Sequence, residues 1–187
     1  MKNCKHIINN FLMVVLGTAT LIGASSFSNL RMQNKSVPIT TIVKTDAQFL
    51  ASAAEINLEE IQLGQLAQKK STMMDVQELG KMMETEHTKS LSDLTTLASK
   101  KGISLPKSVT SEAKEEYKEL NNKSEKRFND EYCELMIKGH KHAISLFETA
   151  SKDSKDSEIK AWAAATIPAL RVHLEHAKMC KEKCEKM

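Results

Sequence analysis

Four stretches of this chain carry apolar residues at steps of three and four, and each stretch is too long to be anything but a helix. The first stripe runs from Phe49 through Ala53, Ile56, Leu63 and Ala67, and the second from Met73 through Val76, Gly80, Met83, Leu91 and Leu94 to Ala98. The third joins Cys133, Met136, Ala143, Phe147 and Ala150, and the fourth Ile159, Ala163, Thr166, Leu170, Ala177, Cys180 and Cys184. Such spacing places one apolar face on each helix, and four such faces bury one another only in an all-α bundle. Every stripe is interrupted once by an ionisable residue: Glu60, His87, His140 and His173 in turn. A neutral polar group buried without a partner costs roughly 2 to 7 kcal/mol, so four such groups on four inward faces are expected to satisfy one another or a shared ligand.

Punctuation between the stripes sets the element boundaries. Thr45-Asp46-Ala47-Gln48 has capping-box spacing and opens a first helix reaching about Lys70. Ser71 and Thr72 are read as opening the second helix, with Asp75 near its positive end; Gly102 closes it, and Leu105-Pro106 confirms the break. A polar helical stretch, 112–122, occupies the crossover, and the pattern falters at 121–124 before resuming at Phe128 and running to Ala150. A polar loop is expected over 151–156, then a last helix from Ser157, with Pro168 inside it bending the chain one turn before His173. The reading is an antiparallel four-helix bundle with an extra helical segment in the crossover between the second and third helices. Glu60 and His87 straddle the first turn almost evenly, as His140 and His173 do the second, with offsets of roughly 4 Å at 1.5 Å per residue. All four belong in one layer.

Residues 1–24 read as an export signal: Lys2 and Lys5 precede an apolar run from Phe11 to Gly23, followed by small residues at plausible cleavage positions. The run is short for a membrane span, and no cysteine follows the cleavage site to take a lipid. Residues 25–44 form a polar tether, and 45–187 the bundle domain. The expected location is periplasmic or secreted; an uncleaved signal segment would instead anchor the protein in the membrane. Losing two lysines lowers the formal charge from +3 to +1, which gives nucleic-acid binding no support. Only 4% of the residues are aromatic, and Gly and Pro together number nine, as befits a helical bundle. About 140 residues bury a core without disulfide staples.

The chemistry follows from the interrupting residues. Three imidazoles and one carboxylate suit one zinc, iron or copper ion, with Glu60, His87, His140 and His173 as ligands. Glu84, Met83, Tyr132 and Met136 stand around them as alternates or supporting groups; Met83 and Met136 each precede a stripe histidine by four residues, a spacing suited to Cu(I). His176, Cys180 and Cys184 share one face at four-residue spacing and form a second, surface candidate. Cys180 and Cys184, about 6 Å apart at Cα in a helix, are poorly directed for a disulfide. No Gly-rich phosphate loop, nucleophile elbow or HExxH motif is present, so enzymatic activity is not expected. The competing reading is a metal-free interaction module with a buried histidine network, partnered by another envelope protein.

The ordered set Asp46-Ala-x-Phe49, Glu60-Ile-x-Leu-Gly64-x-Leu-Ala67, Glu86-His87, Leu105-Pro106, Phe128-x-x-x-Tyr132, His140 and Pro168-x-Leu170-x-x-His173 resembles the bacterial family catalogued as domain of unknown function 4142, over about residues 45–178. The resemblance implies an exported, ferritin-like four-helix bundle with no settled activity, and motif positions at Glu60, His87, Tyr132, His140 and His173. The family usually has Asp where this chain has Glu86, and Asp where it has Asn129. A di-iron site wants Glu-x-x-His on two helices. Only Glu84-x-x-His87 supplies it, which favours a single ion over a di-iron pair.

Overall fold

The computed structural model describes residues 45–186, and these are all-helical: α1 (Asp46–Lys70), α2 (Met74–Lys100), α3 (Ser111–Asn121), α4 (Glu125–Asp153) and α5 (Ser157–Glu185). The expected signal segment and tether, residues 1–44, lie outside the described residues. No described helix is long and apolar enough to cross a membrane.

Local chemistry explains the boundaries. Thr45 Oγ1 accepts from Gln48 N while Gln48 Oε1 accepts from Thr45 N, so the capping box forms in full. Gly102 adopts φ 66°, and the amides of Gly102 and Ile103 donate to Ser99 and Ala98, the two bonds of a Schellman stop. At α3 the Thr110 hydroxyl caps Ala113 N, and at α5 the Asp156 carboxylate takes the amides of Glu158 and Ile159. Ser71 and Thr72 do not open α2. Its N-cap is Met73, which makes no side-chain cap bond; Ser71 ends α1, and Thr72 turns outward to the Glu125 carboxylate at the start of α4. The last loop is also shorter than the polarity of 151–156 implies, because α4 continues to Asp153. Pro168 sits inside α5 without ending it.

α1 pairs with α2 and α4 with α5; the pairs meet through α1 against α4 and α2 against α5, while α3 lies on α1 and α4. Polar ties fix the directions. Asp46 accepts from Asp156 N, and Lys101 pairs with Asp156, gathering the start of α1, the end of α2 and the start of α5 at one end. Lys183 pairs with Asp75 at the other. Gly64 and Gly80 set the α1–α2 distance: a Cβ on Gly64 would lie 2.5 Å from the Gly80 carbonyl oxygen, and one on Gly80 2.7 Å from that of Gly64.

The core falls into two apolar halves. Phe49, Leu50, Leu94, Phe147 and Ile159, with Trp162 against them, fill one; Leu63, Val76, Met83, Phe128, Tyr132 and Met136 fill the other. Between them, on four helices, lies a polar belt of Asn57, Glu60, His87, His140 and His173, each no more than 5% exposed.

Candidate metal centre

The belt contains the four residues that interrupt the sequence stripes, and the packing separates them into a converging set and an outlier. The rings of His87, His140 and His173 stand 5.2 to 5.7 Å apart, centroid to centroid. One nitrogen from each lies within 4.8 Å of the others. Glu60 faces the back of this group: its Oε1 is 3.8 Å from His140 Nδ1, the nitrogen that also meets the Met136 carbonyl at 2.8 Å.

Outer contacts assign the tautomers. Met136 O can only accept, so His140 carries its proton on Nδ1 and keeps the Nε2 lone pair. Asn57 spends its amide Nδ2 on the Ala53 carbonyl, so its Oδ1, 2.9 Å from His87 Nδ1, accepts there and leaves His87 Nε2 as a lone pair. His173 Nε2 donates to the Glu86 carboxylate at 3.1 Å, leaving Nδ1 free. Three lone pairs therefore converge, on His87 Nε2, His140 Nε2 and His173 Nδ1. Two of them, on His140 and His173, lie 3.3 Å apart, and His87 Nε2 has no hydrogen-bond partner among the described residues. Metal-ligating histidines are held in this way, with the far nitrogen bonded to a carboxylate or carbonyl.

Electrostatics keep the ligands neutral. Burial is the first cause in each histidine: it holds His87 well below the ordinary imidazole value, His140 at about 4, and His173 below its usual value although Glu86 pulls the other way. Burial, followed by the charges of Glu59 and Glu116, lifts Glu60 to about 8. Glu60 is thus an uncharged acid at neutral pH, and its contact with His140 is no ion pair. Among the described residues its Oε2 has no hydrogen-bond partner, nor has the hydroxyl of buried Tyr132, whose ionisation is suppressed by burial and by Glu60.

The supporting residues named from sequence scatter. Met83 and Met136 are fully buried in the apolar half of the core beyond the belt. Glu84 accepts from Gln65 and Gln68 and does not join the histidines. The second candidate changes membership: His176 is exposed, and Cys133 takes its place beside Cys180 and Cys184. Two contributors were missed in the sequence. Glu86 stands where the family usually has Asp, and Asn57 lies beside Ile56, which fits the apolar stripe; in the structure Asn57 is 2% exposed and Ile56 only partly buried. Asn57 stands one turn after Ala53 and one before Glu60, which is the signal that was available.

No curated protein and no solved structure matches the chain significantly. The family model described as Domain of unknown function (DUF4142) matches residues 32–180, and the chain belongs to that family.

Proposed function

We propose that this protein is an exported, ferritin-like helical bundle that holds one transition metal ion on His87, His140 and His173, and serves metal handling or the envelope stress response. The observation that carries this reading is the convergence of three buried, neutral imidazole lone pairs whose far nitrogens are each tied to an acceptor. Zinc fits the donor set first: Zn–N bonds of about 2.0–2.1 Å at tetrahedral angles separate ligand nitrogens by about 3.3 Å. That is the separation between His140 Nε2 and His173 Nδ1. Three imidazoles leave a fourth position open, and iron and copper accept the same donors. Glu60 stands behind His140 as a neutral acid, so a bridging carboxylate for a second metal is missing from the belt.

The ferritin-like arrangement draws support from the helix pairing and from a crossover long enough to carry α3 along the bundle. Export rests on residues 1–24 and is tested by the mass of the protein recovered from the envelope fraction.

One contact favours a metal-free network. With His173 as imidazolium, its Nδ1–H would donate to His140 Nε2 and its Nε2–H to the Glu86 carboxylate, which satisfies that pair. Metal analysis of untagged protein, with thermal unfolding after addition of Zn(II), Fe(II) or Cu(II), separates the two. Bound metal, and a melting temperature raised by it, are expected. Protein free of metal whose melting temperature ignores all three ions sinks the metal reading.

A further inference from the structure

We propose that Cys133, Cys180 and Cys184, together with Met73, form a second metal centre that binds monovalent copper at the opposite end of the core from Phe49. Three helices meet there. Cys133 on α4 lies 2.9 Å, sulfur to sulfur, from Cys180 and 3.8 Å from Cys184, both on α5; Cys184 Sγ in turn lies 3.7 Å from the Met73 thioether at the start of α2. All three cysteines are free thiols. The donor set is entirely sulfur.

The make-up of the cluster decides the ligand. Thiolates take Zn(II) as well as Cu(I), and it is the added thioether that favours Cu(I), since Zn(II) and Fe(II) gain little from it. A disulfide would engage two of the three thiols and has no use for Met73. Met73 also stands at the N-cap of α2 without capping it, so its side chain is free to face Cys184. Binding exchanges thiol protons for the ion, and no electron moves. An entry path exists on two sides. One surface hollow of about 250 Å³ reaches Met73 and Cys184, and another of about 370 Å³ reaches Cys180 beside exposed His176. The centre shares no residue with the histidine site, so either can fail alone.

The test uses the full chain, fully reduced and without oxygen, titrated with Cu(I) against bicinchoninate. One equivalent with a near-ultraviolet thiolate-to-copper absorption is expected at the sulfur centre, equally in the native protein and in His87→Leu/His173→Leu, since copper on the histidines gives no such absorption. Cys184→Ser and Met73→Leu change half-buried residues near helix ends, and circular dichroism checks that both remain helical. Cys184→Ser should weaken binding about 100-fold and Met73→Leu about tenfold, which are roughly 2.7 and 1.4 kcal/mol. The proposal is overturned by absence of Cu(I) uptake, by uptake unchanged in both sulfur variants, or by uptake lost in the histidine variant. Tighter binding of Zn(II) than of Cu(I) overturns the copper assignment. Reduced protein that takes no copper and closes a Cys133–Cys180 bond in air overturns the centre in favour of a redox pair.

Discussion

Each belt histidine does its work through the nitrogen that points away from the others. Glu86 is the most accessible handle on this, because it is a surface residue holding a buried ring: its side chain is 51% exposed and its Oε2 fixes His173 Nε2. Glu86→Gln keeps an acceptor but removes the charge, and should weaken Zn(II) binding by about 10- to 100-fold in competition titrations while leaving the fold intact. Glu60 behaves differently. Gln copies the neutral acid but releases no proton on unfolding, so Glu60→Gln should raise stability by about 2 kcal/mol near pH 6. Its titration shapes the pH profile. With the folded pKa at about 8 against 4.5 when exposed, the native state holds a proton that the unfolded chain has released, and stability drops as pH rises through that window. The imidazoles act in the opposite sense. With His140 at about 4 in the fold against 6.5 outside it, metal-free protein loses stability as pH falls from 6.5 to 4, by about 1.4 kcal/mol per pH unit for each such ring. Urea unfolding of chelated protein across pH 4 to 8 should therefore show a maximum inside the range, and Glu60→Gln should remove part of the alkaline fall.

At the scale of elements, three glycines act by two different means. Gly64 and Gly80 allow α1 and α2 to approach until backbone meets backbone, and the oxygen that a Cβ would strike cannot swing aside. Gly64→Ala should force the hairpin apart and cost about 2–3 kcal/mol, read as a lowered melting temperature. Gly102→Ala meets nothing within 4 Å and is penalised only through its positive φ, at about 1–2 kcal/mol. Since α2 carries His87, the Gly64 change should also weaken Zn(II) binding, whereas the Gly102 change should leave it untouched.

Over the whole molecule, the belt parts two apolar clusters of the core, and His87 Nε2 has no hydrogen-bond partner among the described residues. A ligand that binds only the folded state turns that liability into stability, by about 2.7 kcal/mol at a hundred times its dissociation constant. Zn(II) should thus raise the melting temperature by roughly 5–10 °C for a domain of this size. His87→Leu/His173→Leu should melt at the same temperature with or without the ion.

The sequence by itself determined the helices, most of their ends and the four residues that break the stripes, because periodicity, capping boxes and a left-handed glycine are local effects that act within one or two turns. It also located His87, His140 and His173 in one layer, since counting from a short turn is enough to level two antiparallel helices. Only the tertiary structure decided which way each ring faces. It set Glu60 behind His140, brought in Asn57 and exposed Glu86 as the outer acceptors, and exchanged His176 for Cys133 beside Cys180 and Cys184. Those choices depend on how helices rotate about their axes when four faces compete for one core, and on which polar atom across the gap can accept a proton. Spacing along a single helix carries no record of either.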